Sequence, residues 1–162
     1  MTDTVARWRA AGETGDADAA AACLAPDAVL ISPLTAQFRF RGRDQVRDVL
    51  AAGFQVIHGI TWHTEVRDGG TVALFYRATS RGIEVEEAQL LRLDDAGLIG
   101  ELTLFGRPLP ALTAVMSAIG PEIARRQGRR GLAAFLRVNT APLHAMVRLG
   151  DRRVVPLAAP RR

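Results

Sequence analysis

The chain has 162 residues, of which 48% are hydrophobic and 23% charged, with a formal net charge of +4. That length and balance suit one hydrophobic core, and exclude a two-core layout or an intrinsically disordered chain. No apolar run nears the roughly 18 residues of a membrane-spanning helix, and the lone Cys23, read as a small core residue, excludes a disulfide framework or a cysteine-based metal site.

Charge is unevenly placed. Residues 121–162 carry ten Arg against Glu122 and Asp151, a net +8, whereas the first 120 carry eleven Arg against fifteen acids, a net −4. A basic tail of this kind is expected to be solvated, so neither nucleic acid nor a membrane is an expected partner. The opening MTDTVARWRAAGETGD lacks the basic and apolar regions of a signal peptide, which implies a cytoplasmic protein.

In chain order, a cap cluster at Thr2-Asp3-Thr4 opens a helix over about 4–14, with Val5, Trp8 and Ala11 on one face. Gly15-Asp16 ends it and starts a short alanine-rich helix over about 17–24, which stops before Pro26. Ala28–Ile31 reads as a buried strand with Gln37–Phe40 as a candidate partner, and Gly42-Arg43-Asp44 opens a third helix with Val46, Val49 and Leu50 inward. From residue 60 the pattern becomes long strands joined by turn signals: Thr61–Arg67, Thr71–Thr79, Ile83–Leu93 and Leu98–Phe105, an antiparallel meander. Pro108 and Pro110 end it, and a helix over about 110–126 aligns Leu112, Val115, Met116, Ile119 and Ile123, able to cover a face or an opening. Beyond Gly128, Leu132–Val138 and Leu143–Leu149 are expected as short helices broken at Asn139–Pro142, with Val154–Arg162 a loose end. Helices first and a meander afterwards indicate an α+β fold.

Several runs in this order carry a resemblance across about residues 4–126: Gly15-Asp16, Leu24-Ala-Pro-Asp27-Ala-Val, Ser32-Pro33, Arg41-Gly42-Arg43-Asp44, Leu91 to Ile99, and Leu104-Phe105. The chain resembles ketosteroid isomerases, SnoaL-like polyketide cyclases and limonene epoxide hydrolases, all of the nuclear-transport-factor-2-like superfamily. The resemblance implies a cone-shaped, curved antiparallel sheet wrapped around the N-terminal helices (a cystatin-like roll), formed by residues 1–126. Residues 127–162 are then a basic C-terminal helical extension. It also implies a pocket for a small apolar molecule, no cofactor, and a homodimer formed through the outer face of the sheet.

The family's chemistry does not transfer position by position. The tyrosine that binds the oxyanion in ketosteroid isomerases falls on Trp8, the catalytic base on Ser32 and the protonated Asp on Gln89. A lone serine hydroxyl and an amide do not titrate near neutral pH, so that mechanism is not expected. The epoxide-hydrolase Arg falls on Arg77, but Thr79 and Thr103 replace its two acids, and Glu101 is the residue able to stand in for the acid of the cyclases.

If Gln89 points inward, period-two alternation takes Glu87, Leu91 and Leu93 with it; if Thr103 does, Ile99, Glu101 and Phe105 follow. Arg77 and Glu101, two strands apart, can span the roughly 10 Å between their backbones, as an ion pair that is either structural or catalytic. Glu84, Glu86 and Glu87 point in alternating directions, and any of them kept in an apolar pocket would titrate high. His63 is either a pocket residue or an exposed strand histidine, and Tyr76, opposite in direction to Arg77, suits a dimer contact. Trp8, Phe54, Phe75 and Phe105 serve as core or as pocket wall. No metal-ligand spacing, phosphate-cradling glycine loop or Ser-His-acid motif stands out.

Two functional readings remain. One is a cofactor-independent isomerase, cyclase or hydrolase in which Arg77 stabilises negative charge, Glu101 or Glu87 moves protons, and Ser32, Gln89 and Thr103 orient the ligand. The other is a non-catalytic ligand-binding or dimeric scaffold protein, favoured by the missing acids.

Overall fold

The computed structural model describes residues 3–160. Helix α1 (Thr4–Thr14) is capped by Asp3, whose carboxylate accepts from the Val5 backbone N–H at 3.1 Å. It ends at Gly15, where φ of +69° is the left-handed conformation that glycine adopts at little cost. Asp16 then caps α2 (Ala17–Ala21), and the chain enters β1 (Leu24–Ile31), β2 (Phe40–Arg41) and α3 (Arg43–Phe54). The meander follows as β3 (His58–Asp68), β4 (Thr71–Ser80), β5 (Ile83–Leu93) and β6 (Ile99–Arg107), and two helices close the chain, α4 (Leu109–Arg126) and α5 (Arg130–Arg153), before a 3-10 turn at Val155–Ala158.

The fold is α+β, but the curved antiparallel cone expected from the resemblance is not what forms. The six strands make one open sheet in the order β2-β1-β6-β5-β4-β3, with β2 and β3 left as separate edges. The sheet is also mixed, because β1 runs parallel to β6. Helices α1, α3 and α4 supply a second layer against the sheet, so its apolar face is covered without closure. The core between the layers gathers Val5 and Trp8 from α1, Val46 from α3, Leu30 from β1, and Leu74, Leu91 and Leu102 from the meander.

Two registers decide which side chains reach that core. The two-residue turn at Arg81-Gly82 pairs Ser80 with Ile83 and thereby sets Tyr76 opposite Glu87 and Leu74 opposite Gln89. Residues directly opposite share a face, so Val72, Leu74, Tyr76 and Ala78 are buried with Val85, Glu87, Gln89 and Leu91. Between β5 and β6 a bulge falls between Arg92 and Leu93: Leu93 pairs with Ile99, but Arg92 already pairs with Glu101. That one-residue slip puts Leu102 and Leu104 on the inner face and turns Glu101, Thr103 and Phe105 outward.

The C-terminal segment also differs from expectation. Residues 130–153 form one continuous helix through Pro142 instead of two short ones. Asn139 Nδ2 donates to the Phe135 carbonyl and Thr140 Oγ1 to the Leu136 carbonyl, one turn back, and packing along α4 holds both halves in line.

Candidate functional site

A cavity of about 80 Å³ lies between the inner face of the sheet and the helices. Its wall is almost wholly apolar: Leu30 from β1, Leu50 and Phe54 from α3, Leu104 from β6, and Leu112, Val115 and Ile119 from α4. Four polar side chains interrupt it, namely Ser32, Tyr76, Glu87 and Gln89. A water occupies about 30 Å³ of liquid and ligand pockets generally run to about 300–1,000 Å³, so this cavity suits a few heavy atoms.

Glu87 is the chemical centre of this cavity. It is 7% exposed, and one chain of hydrogen bonds orients it: Trp8 Nε1 donates to Gln89 Oε1 at 2.9 Å, and Gln89 Nε2 donates to Glu87 Oε1 at 3.1 Å. Tyr76, paired directly opposite Glu87 on β4, borders the same cavity. Burial pushes the Glu87 carboxyl up to about 7, against which the Gln89 and Tyr76 donors pull only part of the way back. Burial and the neighbouring Glu87 charge hold the Tyr76 phenol well above its ordinary value, so it stays a protonated donor. The Tyr76 ring is fixed edge-on against Trp62, with centroids 5.1 Å apart, and the Trp62 indole donates to the Arg9 carbonyl at 3.0 Å. Such an arrangement can accept and return a proton near neutral pH inside an apolar chamber.

Of the residues singled out from the sequence, Trp8, Glu87 and Gln89 form this chain, while Ser32 and Phe54 line the cavity. Ser32 spends its oxygen locally, accepting from the Leu34 N–H at 3.1 Å. The others lie on the opposite face of the sheet. Arg77 is exposed and reaches Glu84 at 4.0 Å, and Glu101 pairs with its cross-strand neighbour Arg92 at 3.3 Å, so the Arg77–Glu101 pair does not form. His63 stands 3.7 Å from Glu86, with its ring 6.3 Å from that of Phe75, and Phe75 and Phe105 flank a shallow outer groove with Glu86 and Arg107. Thr103 lies on β6 beside Leu90 and Ile31, facing away from the cavity. Among the described residues no three His, Cys, Asp or Glu side chains converge as a metal site requires.

Tyr76, which the sequence suited to a dimer contact, is instead 2% exposed on the inner face beside Glu87. The signal was present. A two-residue turn at Arg81-Gly82 sets Tyr76 across from Glu87 and Arg77 across from Glu86, so an inward Gln89 and an inward Arg77 are incompatible.

Fold and site together are those of an α+β domain with a buried carboxyl beside an apolar cavity. A model of the SnoaL-like domain matches residues 5–102, and the chain belongs to that family, within the nuclear-transport-factor-2-like superfamily. Among solved structures, a bacterial protein with a cystatin-like fold from Silicibacter pomeroyi DSS-3 is 25% identical with a TM-score of 0.73, covering 82% of this chain and 95% of its own. A steroid delta-isomerase from Pseudomonas aeruginosa is 28% identical with a TM-score of 0.66, covering 77% and 89%. A putative polyketide cyclase from Sinorhizobium meliloti shares the fold at 21% identity and a TM-score of 0.56, covering 65% and 95%. No curated protein matches the sequence. The fold is therefore related to isomerase-, cyclase- and hydrolase-type enzymes, while Trp8, Ser32 and Gln89 occupy the positions where the resemblance places isomerase catalytic groups.

Proposed function

We propose that the chain is a cofactor-independent acid–base enzyme acting on a small, mostly apolar carbonyl compound, with Glu87 as the group that moves the proton. The observation that supports this most directly is the Glu87 carboxyl itself, enclosed among apolar side chains, oriented by Gln89, faced by Tyr76 across the strands, and raised to about 7. In its ionised form Glu87 takes a proton from carbon next to the carbonyl. The Tyr76 hydroxyl turns from the carboxyl to the ligand oxygen and stabilises the negative charge developing there. Returning the proton to a different carbon completes an isomerisation, and directing the carbanion at an internal electrophile completes a ring closure. Gln89 and Trp8 keep the carboxyl aimed. Ser32 and Phe54 bound the space for the ligand, and the Phe105 face of the sheet is the surface we assign to a homodimer.

The test is hydrogen–deuterium exchange of small ketones and β,γ-unsaturated enones, followed by NMR. The full chain should exchange the α-proton with a rate that rises with pH around 7, and Glu87→Gln should slow it by about 100- to 10,000-fold. Exchange that persists in Glu87→Gln would overturn the assignment. A second reading, a non-catalytic binding protein, has one observation in its favour: the carboxyl that faces the small cavity is already bonded to Gln89. It predicts ligands that raise the melting temperature of the chain without any exchange.

A further inference from the structure

Helix α5 presents two dissimilar faces. Toward α4 it buries Ala133 and His144, and His144 Nδ1 meets Thr113 Oγ1 at 3.0 Å. The Thr113 hydroxyl proton is already given to the Pro110 carbonyl at 3.0 Å, so the imidazole is the donor in that contact. On the far side stand Phe135, Val138, Met146 and Leu149, 63%, 71%, 65% and 53% exposed, with Pro142 between them. At 100° per residue these five fall within an arc of about 80°, an apolar stripe running the length of the helix. Exposed Val154, Val155 and Leu157 continue it past the end of α5.

Arginines occupy the flank of α5 between the stripe and α4, and acids are nearly missing from the helix. Arg130, Arg137 and Arg148 lie along one flank, Asp151 is the one acid of α5, and among the described residues no salt bridge engages these three arginines. Beside the stripe, α4 and α5 leave a groove of about 570 Å³ lined by Arg125, Arg130 and Arg137, with Val138 common to groove and stripe. Guanidinium forks there are suited to phosphate oxygens, and the adjoining apolar surface is suited to hydrocarbon.

We infer that α5 is a docking surface for an anionic lipid bilayer, its apolar stripe entering the interface while Arg130 and Arg137 hold headgroup phosphates. Charge complementarity selects this occupant. Two copies meeting through this stripe would bring arginine against arginine with one aspartate each to offset them. A nucleic acid would leave the stripe facing water, and so would a free phosphate. An in-plane helix with Phe and Met on one side and Arg beside them satisfies both kinds of surface at once. The sequence alone suggested a solvated tail because it shows the arginines without showing that the inward side of α5 is taken by α4.

The experiment is co-sedimentation of the full chain with vesicles of mixed phosphatidylglycerol and phosphatidylcholine, and with vesicles of phosphatidylcholine alone. Binding is expected to the first and not the second. Phe135→Ser with Met146→Ser should weaken it by at least about tenfold through lost apolar burial, and Arg130→Gln with Arg137→Gln by about fivefold per arginine. These positions are exposed, and unchanged circular dichroism and melting confirm that the variants are folded. The proposal is overturned by no binding of the full chain to the anionic vesicles, or by binding that the Phe135–Met146 variant retains within about twofold, which is attraction of charge alone. It is equally overturned if sedimentation without lipid shows a dimer that the same variant abolishes.

Discussion

Glu86 and Glu87 are neighbours on one strand, and the sheet between them separates two kinds of electrostatics. Glu86 faces outward, 3.7 Å from His63 and 3.3 Å from Arg107, with 30% of its side chain exposed. Glu87 faces the helices, touches no cation, and answers only to neutral donors. Water reaches the outer carboxylate and screens it from His63 and Arg107, so each of its pairs contributes little. Inside, burial is the largest influence on Glu87, and it favours the protonated carboxyl. One residue of alternation thus separates a solvated charge from a candidate acid–base group.

The sharpest way to break this comparison is kinetic. Glu87→Gln should cost about 100- to 10,000-fold in proton exchange, whereas Glu86→Gln should leave the rate within about twofold, as surface changes do. Equal losses in the two variants would mean that the chemistry belongs to the outer groove. Next in size is the pH dependence of stability. The Glu87 carboxyl titrates near 4.5 when the chain is unfolded and at about 7 when folded. Between those values the folded protein holds a proton that the unfolded chain has released, so stability falls as pH rises through that window and is flat above it. The loss is on the order of 3 kcal/mol, read from denaturant midpoints at pH 4.5, 6 and 8. Glu87→Gln should remove that slope, and a slope that survives in the variant assigns the proton elsewhere.

A smaller effect probes the support behind the carboxyl. Trp8→Phe keeps the ring in the core but takes the N–H from Gln89 Oε1, leaving a buried acceptor unpaired at a cost of about 1–3 kcal/mol. With the amide free to turn, Glu87 loses its orientation as well, so exchange should slow even where the protein remains folded. Unchanged melting would show that Gln89 finds another donor.

How much of this was legible in the sequence follows from what sets each feature. The caps at Asp3 and Asp16, the inner stripe of α4 and the turns at Gly69-Gly70 and Arg81-Gly82 depend on local residue chemistry, and the expected elements form close to their expected bounds. The inward direction of Glu87 and Gln89 was also within reach, since it needs only alternation along β5. Thr103, Glu101 and Phe105 were not placed because a bulge between Arg92 and Leu93 shifts the register after a four-residue turn, and no residue type announces it. The open, mixed sheet depends on β1 finding β6 far along the chain, a pairing that local pattern does not encode. Helix α5 continues through Pro142 because α4 supplies packing on one side, and that too is tertiary.

The smallest effect is expected on the outer face, and it makes the comparison quantitative. Arg77 and Glu84 are 64% and 73% exposed and 4.0 Å apart, so water already solvates both charges. Arg77→Ala removes an ion pair screened by salt and frees a long side chain, two changes that nearly cancel, and the net shift in unfolding free energy should stay below about 0.5 kcal/mol. The same position was a candidate catalytic group on the strength of resemblance, so the measurement has two readouts. Proton exchange should match that of the unmodified chain, because Arg77 stands across the sheet from Glu87 and no side chain links them. If exchange instead falls with Arg77→Ala while melting holds, the outer face takes part in the chemistry, and the division between a solvated face and a proton-holding face fails at its simplest point.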